Sequence, residues 1–438
     1  IDLQETENET AATISAMLIF FMDKHNVASK CVAFGGDNCN TNFGGLSRKS
    51  DGKNVYARLK VSIERAEKLI GVGCPAHIIH NTIQHGSDAL AVDLEVIVMK
   101  LFNHFSIYTV RVSNLKSFCQ YVDVEFKNLL SHSKTRWLSL LPALERMLDM
   151  FEPLKAYFLS LENAPTILTK FFRNSVSLIY LSFLLSQMSL FQSAILQMEQ
   201  KSNSIGETSL ILSDLESKLC YRKENCFVNQ NTKNLLNRDS ISETDSMFFI
   251  YDVGNFYTKC IEYLKKWTTN FTEFTPLNWM VLNNVVSWKD VQTSLLYFSD
   301  KGVSVDEGLL IDQFQCLEQF LSENVKSSSW CNKSSAARWK EFFDSRLFIE
   351  GVSEFLKVAQ FFFAIPSNNA HVERVFSLIS SQWSKERNRL NVGTIRDIAL
   401  IQHNFSNTSC KEFYDLISSN NQLLSAVSSS RKYKWFKE

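Results

Sequence analysis

The sequence has little glycine and proline, with 14 and 6 residues in a chain of 438. Both residue types interrupt helices, so their scarcity favours a helical protein. The chain also lacks an excess of either charge, with 46 basic and 46 acidic residues. Contact with a nucleic acid would therefore depend on local basic patches, because no overall positive charge attracts phosphates.

Long apolar runs and a regular cysteine pattern are also missing. The apolar run at 178–191 is short for a membrane span and contains Ser and Gln, so we expect no membrane partner. The ten cysteines form no dense, even framework, which indicates reduced thiols in an intracellular compartment. What is present is an ordinary globular composition, 45% hydrophobic and 21% charged.

The first 90 residues alternate between helical and strand-like patterns. Apolar residues recur at helical spacing over 9–24, after the capping candidates Asn8 and Thr10, and again over 52–68. Short apolar runs at 30–38 and 69–74 predict buried strands. A further helix is predicted to begin at Pro75. This order is typical of an α/β unit with parallel strands.

Beyond residue 92 the pattern becomes almost wholly helical, with apolar residues three and four apart. We therefore expect a mostly α fold with a small α/β part. The polar stretch 220–245 has few large apolar residues and is predicted to be a linker. The expected regions are a partial α/β core at 1–91, a helical insertion at 92–349, a helical C-terminal region at 350–425 and a basic tail at 426–438.

Asp37 follows the first predicted strand and lies within a cluster of Asn and Thr residues. A carboxylate at the carboxyl end of a parallel strand occupies the place where α/β proteins bind ligands. The preceding Gly35 and Gly36 would allow a ligand to approach the backbone closely. An Asx-type turn, in which Asp37 caps its own loop, explains the same residues. Both interpretations stay open on this segment alone.

Cys74, His77, His80 and His85 cluster where the second predicted strand meets its helix. A C-x2-H step can be half of a zinc site, but no second pair follows at standard spacing. The alternatives are a buried Cys with partly exposed histidines, or a His beside a phosphate at the start of a helix.

The segment "SKTRWLS", residues 133–139, places Arg136 beside Trp137. Arg neutralises phosphates and Trp stacks on unpaired bases, so the pair suits nucleic-acid binding. A Trp at a helix start also commonly packs into the core. The segment "NNAHVERVFSLISSQWSKERNRL", residues 368–390, raises a similar question about Glu373, which is either an ion-pair partner of Arg374 or a metal ligand.

Four pieces of the chain together resemble one family: "GDNCNTNFGG", "CPAHIIH", "TRWLS" and "NNAHVERVFS...ERNRL". They are similar to the hAT (hobo/Activator) superfamily of DNA transposases and the host proteins derived from them. Order and spacing agree from about residue 1 to 425. The last piece resembles the A-x-x-E-R-x-F-S motif followed by R-x-x-L, which marks the family's C-terminal dimerisation region.

The resemblance implies an RNase H-like core, interrupted by a helical insertion, in which three acids hold two divalent cations, Mg²⁺ or Mn²⁺. By this resemblance Asp37 matches the second acid and Glu373 the third. Cys74 and His77 match a C-x2-H motif near the scissile phosphate.

The resemblance further implies that Arg136 and Trp137 match a pair that grips a flipped base. The implied partner is DNA at transposon ends, bound by a homo-oligomer in the nucleus.

The family's first acid lies on an earlier strand, well before the second, whereas 36 residues precede Asp37 here. Asp2 falls on the wrong strand to replace it. We therefore expect this chain to be a fragment or derived copy of a transposase that does not cut DNA by itself.

The alternative is a non-catalytic nuclear protein, domesticated from a transposase, which works through dimerisation or association with DNA. Its interface, or the core supporting it, would use the apolar residues Val372, Phe376, Ile379, Leu390, Ile398, Leu400, Ile401 and Phe405. A helical scaffold with a structural zinc at Cys74, His77 and His80 is a third hypothesis.

Overall fold

The computed structural model describes residues 3–46, 48, 52–62, 68–133, 136–200, 202–345, 353–383 and 389–429. Within these ranges the chain is 71% helix and 2% strand, which confirms the prediction of a mostly α fold with a small α/β part. The described residues form two compact units, one of residues 10–369 and one of residues 370–429 with 3–9. Most of the predicted basic tail, from residue 430 onwards, lies outside the described residues.

The small α/β element opens the larger unit. Strands β1 (Ala33–Gly36) and β2 (Ile70–Gly73) pair in parallel, with Ala33 opposite Ile70 and Gly36 opposite Gly73. Every residue of β2 is buried, as expected for a strand covered on both faces. The helices of this element are α1 (Ala11–Lys24), α2 (Asn40–Phe43), α3 (Val55–Ser62) and α4 (Pro75–Ser87). The predicted parallel arrangement is therefore confirmed for these two strands.

The beginnings of α1 and α4 follow from local sequence. Thr10 is the N-cap of α1, and its side chain accepts a hydrogen bond from the backbone N–H of Thr13 at 3.3 Å. Pro75 occupies the first turn of α4, where its missing N–H costs nothing. Helices α1 and α3 share a small apolar cluster with Leu69, so the residues just before β2 are already buried.

The rest of the larger unit is helical. Its helices are α5 (Leu94–Ser106), α6 (Thr109–Tyr121), α7 (Leu141–Asp149), α8 (Phe151–Ser160), α9 (Thr166–Arg173), α10 (Ser177–Met198), α11 (Ile205–Glu224), α12 (Gln230–Leu236), α13 (Glu243–Thr268), α14 (Trp288–Asp300), α15 (Glu307–Asn324), α16 (Ser328–Cys331), α17 (Ser335–Phe343) and α18 (Glu354–Ala364). Turns of 3₁₀ helix occupy Ala28–Lys30, Trp137–Leu140 and Thr269–Val281.

One large apolar core extends through most of this unit, and its buried members run from Ile70 to Ile365. Helices α4 and α13 approach closely within it, because Gly86 has no side chain at the crossing. A Cβ at Gly86 would overlap the Sγ of Cys260 and would lie 2.9 Å from Cε2 of Phe256. Helix α4, which contains His77 and His80 and is capped by Cys74, thus packs directly against α13 of the predicted helical insertion.

The segment 220–245, which the sequence analysis predicts to be a linker, contains the end of α11, the whole of α12 and the start of α13, with turns and loops between them. Helix α12 begins at the N-cap Asn229, helix α13 begins at the N-cap Ser242, and both cap side chains accept backbone hydrogen bonds. Val228 and Thr232 are buried at 3% and 0% exposure. A short helix that buries few side chains has the composition of a linker, so the sequence does not reveal α12. Residues 10–369 form one compact unit, which includes the boundaries expected near 91 and 349.

Helix α10 is longer than its apolar run suggests. Its 22 residues are long and apolar enough to cross a membrane by length and composition alone, and 67% of its most apolar stretch is buried inside the protein. Gln187 is fully buried there, and its side-chain oxygen accepts hydrogen bonds from Arg222 and Tyr257. A core helix of this kind has the same length and composition as a membrane span.

The smaller unit contains α19 (Ala370–Gln382), α20 (Val392–Asn404), α21 (Cys410–Ser418) and α22 (Asn421–Ser428). Helix α21 begins with a capping box between Ser409 and Glu412. Among the described side chains of residues 370–429, Ile395 and Ala399 are buried and all others are half-buried or exposed. This unit therefore has very little core of its own.

Candidate ligand site at the ends of the paired strands

Asp37 and Cys74 each directly follow a strand, and parallel pairing places them at the same edge of the sheet. The backbone N–H of Cys74 donates to the carbonyl of Gly36 at 2.7 Å. The side-chain amide of Asn38 donates to the carbonyl of Cys74 at 2.9 Å. These two bonds fix the end of β1 against the start of α4. The strand end is thus a rigid support for whatever Asp37 and the C-x2-H motif bind.

The carboxylate of Asp37 is half-buried and has partners in its own loop. Its Oδ1 accepts a hydrogen bond from the side-chain amide of Asn42. The thiol of Cys39 also lies against it; burial, and then this contact with Asp37, raise the pKa of that thiol. Such contacts suit a loop-capping aspartate, and they also orient a carboxylate toward a ligand. These contacts fit both interpretations of Asp37, and its position at the end of β1 is the one expected.

Cys74 is the N-cap of α4, and His77 follows within the first turn. The Sγ of Cys74 and a ring nitrogen of His77 lie within 4.8 Å of one another. The Nδ1 of His77 is buried and makes no hydrogen bond within the described residues. A buried ring nitrogen without a partner is unusual in a folded protein and suits contact with a ligand. A helix N-terminus favours an anionic ligand such as a phosphate.

His80 and His85 have structural roles instead. His80 is 7% exposed, and its Nδ1 accepts from the backbone N–H of Leu138 at 3.3 Å. Burial lowers the pKa of His80 to about 4, with smaller contributions from His77 and Arg136. The ring of His85 stacks on Tyr263 with 4.3 Å between ring centroids. With His80 committed to Leu138, the arrangement does not support the hypothesis of a zinc site at Cys74, His77 and His80.

Arg136 and Trp137 lie in the same segment but in different environments. Arg136 is exposed, whereas Trp137 is 1% exposed and begins a 3₁₀ turn. The indole Nε1 donates to Oε2 of Glu95 at 2.8 Å. Sequence reasoning missed Glu95, because nothing in the first turn of α5 indicates a partner about 40 residues further along the chain. The bond from Leu138 to His80 ties the segment to α4.

Glu373 belongs to the smaller unit, where it is half-buried in the first turn of α19. The residues predicted for dimerisation belong to the same unit and are incompletely buried. The exposed fractions are 53% for Val372, 59% for Phe376, 51% for Ile401 and 36% for Phe405. The half-buried members are Ile379, Leu390, Ile398 and Leu400.

A scan against protein-family models and a search of curated proteins both find no match to this chain. Function is therefore inferred from the motifs and from the geometry of the described residues.

Proposed function

We propose that this chain derives from a hAT-type DNA transposase, a class of enzyme that cleaves and rejoins DNA with divalent cations. The observation that supports this most is the shared strand edge: Asp37 ends β1, and the C-x2-H pair of Cys74 and His77 follows β2. The motif that contains Asp37 and the C-x2-H motif are more than 30 residues apart in sequence, yet both lie at the carboxyl end of the paired strands β1 and β2.

The donor chemistry of Asp37 suits Mg²⁺ or Mn²⁺, which prefer hard oxygen ligands. When bound, such cations would activate the attacking oxygen and stabilise the leaving oxygen of a phosphoryl transfer. Asp37 would supply one carboxylate from the end of β1. Glu373, in the first turn of α19, is the further acid that the resemblance implies. The amide of Asn42 would hold the Asp37 carboxylate in place.

The remaining motif residues would contact DNA. His77 lies at the start of α4, and its buried Nδ1 has no hydrogen-bond partner among the residues that the structure describes; it would lie near a phosphate. Arg136 is exposed and would neutralise another phosphate. Trp137 would stack on an unpaired base after leaving its buried position.

Nicking of DNA that carries terminal repeats, measured with Mn²⁺ and the complete natural gene product, tests this proposal. Asp37→Ala and Glu373→Ala are each expected to reduce nicking at least a hundredfold, because each removes a charged metal ligand. Asp23→Ala, an exposed acid on α1, is the matched control and should leave the rate unchanged. Full nicking by Asp37→Ala would rule out the proposed role of this carboxylate.

A second candidate function, a non-catalytic nuclear protein that acts as a dimer, is favoured by the smaller unit. Its described residues bury only Ile395 and Ala399, while several large apolar side chains remain exposed. A surface of this kind is characteristic of a protein interface. Light scattering of the full chain at micromolar concentration should therefore give a dimer.

The variants Phe376→Asp and Ile401→Asp should shift the dimer toward monomer, because each places a charge on an exposed apolar position. Ser380→Asp, an exposed polar position on α19, is the control. A strict monomer for the unmodified chain would remove this candidate.

A further inference from the structure

A small cleft lies where α8, α9, α10 and α12 meet, and it shares no lining residue with the strand edge that carries Asp37. Its volume is about 160 Å³. Part of its wall is apolar and buried, with Phe151 6% exposed and Phe172 1% exposed. Pockets for drug-sized ligands typically have about 300–1,000 Å³, so this cleft suits a smaller ligand or one group of a larger ligand.

Three basic side chains line the cleft, which we name the three-cation cleft. They are Lys155 of α8, Arg173 at the end of α9 and Arg238 in the turn after α12. Glu152 is the one acid in the lining. None of the three cations forms an ion pair within the part of the chain that the structure describes. An excess of positive charge therefore faces one small recess, in a chain whose net charge is zero.

The ends of helices explain the two arginines singly but not the set. Arg173 lies in the last turn of α9 and Arg238 follows α12, where a cation complements the helix dipole. Lys155 lies in the middle of α8, so the dipole gives no reason for its position. Cations that converge without an acid repel one another, and an anion bound between them would remove that repulsion.

The start of α10 adds further polar groups to the same cleft. Leu178, in the first turn of this 22-residue helix, lines the cleft, and the N-cap Val176 makes no side-chain cap hydrogen bond. The hydroxyls of Ser175 and Ser240 belong to lining residues and are available as donors. Next to Leu178, Ser177 is 1% exposed, and its Oγ has no hydrogen-bond partner among the described residues, which is uncommon for a buried polar atom.

We propose that the three-cation cleft binds the phosphate or diphosphate group of a small phosphorylated molecule. The guanidinium groups of Arg173 and Arg238 match pairs of phosphate oxygens, and Lys155 adds a compact positive charge. The positive end of the α10 dipole favours the same ligand. A recess of this size suits a discrete phosphate group better than a nucleic acid, whose phosphates follow one another along an extended backbone.

Binding can be measured by isothermal titration calorimetry of the full chain with inorganic phosphate and with diphosphate as separate probes. Divalent cations are left out because they would complex the probes, and sodium chloride keeps the ionic strength constant. We expect one diphosphate per chain with a Kd of about 1 mM or below. Inorganic phosphate should bind more weakly, because it carries less charge to share among three cations.

Substitutions of the lining residues locate the site. Arg173→Gln, Arg238→Gln and Lys155→Gln should each weaken diphosphate binding by about fivefold or more, because each removes charge-assisted hydrogen bonds. Glu152→Gln should strengthen binding by about twofold, since it removes the one negative charge of the lining. Lys170→Gln is the matched control, because Lys170 is an exposed cation of α9 outside the lining, and it should change the affinity by less than about twofold.

The results separate a specific site from general attraction of anions. Absence of diphosphate binding at up to about 5 mM overturns the proposal, as does an equal loss of affinity in Lys170→Gln and Arg173→Gln. If a cation variant fails to fold by circular dichroism, Glu152→Gln decides, because an affinity no higher than that of the unmodified chain contradicts the proposal.

A short DNA duplex, titrated at the same phosphate concentration, tests the competing ligand. Duplex binding that is tighter than diphosphate binding and is lost in the same variants would overturn the small phosphorylated ligand in favour of a nucleic-acid surface. The metal-dependent nicking test judges the proposed function independently, because none of these substitutions changes the strand edge.

Discussion

Replacing Gly86 by Ala should destabilise the protein, although Ala is the better helix former. Gly86 lies in the last turn of α4, where that helix crosses α13. The added Cβ would overlap the Sγ of Cys260 and lie 2.9–3.0 Å from ring atoms of Phe256. Both neighbours are completely buried, so neither can move into solvent.

The expected magnitude follows from two opposing effects. Overpacking of a filled core costs about 1–3 kcal/mol. Replacing glycine by alanine in a helix contributes at most about 1 kcal/mol in the favourable direction. The overpacking cost equals or exceeds the gain in helix preference, so the free energy of unfolding should fall by up to about 2 kcal/mol.

Gly254 provides the matched control. It lies within α13, and a Cβ there would have no heavy atom within 4 Å. Gly254→Ala should therefore stabilise the protein by about 0.5–1 kcal/mol, since only the helix preference remains. Urea unfolding followed by circular dichroism compares both variants with the unmodified chain.

The reasoning fails if Gly86→Ala matches Gly254→Ala in stability. A double-mutant cycle with Cys260→Ala adds a second check, because removing the Sγ relieves the principal overlap. The loss from Gly86→Ala should then shrink by about 0.5 kcal/mol or more.

Further predictions concern buried polar groups. Arg338 is 4% exposed and donates to three backbone carbonyls, so Arg338→Met should cost about 3 kcal/mol or more in urea unfolding. Arg396→Met, which removes a side chain that is 41% exposed and pairs with the neighbouring Asp397, should cost less than about 1 kcal/mol. The pKa of His80 is lowered from 6.5 to about 4, so its contribution to stability is complete above pH 6.5 and declines toward pH 4. This dependence of the unfolding free energy on pH is at most about 1.4 kcal/mol per pH unit. His80→Gln should reduce the dependence in unfolding curves measured at pH 7, 5.5 and 4.5, and an unchanged dependence would refute the reasoning. Cys260 is buried, and burial raises the pKa of its thiol, so iodoacetamide at pH 8 should label the exposed Cys226 at least a hundredfold faster than Cys260. Mass spectrometry of the peptides measures both labelling rates. Equal labelling would show that α13 opens readily.

Local signals in the sequence were sufficient for the helices and strands of the α/β element. Thr10 caps α1 and Pro75 opens α4, as their positions predict. Asp37 lies at the carboxyl end of β1 because an apolar run ending in Gly-Gly-Asp places it there. These features depend on neighbouring residues alone, which is why the sequence reveals them.

Features that depend on distant residues could not be predicted. The bonds of Glu95 to Trp137 and His132 join segments about 40 residues apart, and a glutamate in a first helical turn ordinarily faces water. The close approach at Gly86 depends on which helix crosses α4, which periodicity does not specify. The helix at 230–236 escaped prediction because it buries few side chains, so tertiary contacts rather than composition determine its place.

The extent of the apolar core has a consequence for synthesis on the ribosome. Ile70, the first residue of β2, and Ile365, after α18, belong to the same buried cluster although about 300 residues separate them. At roughly 5–20 residues per second, translation of that interval takes about 15–60 s. During this time the strand pair and the early helices cannot complete their burial. The nascent chain therefore presents apolar surface to chaperones until the segment around α18 emerges.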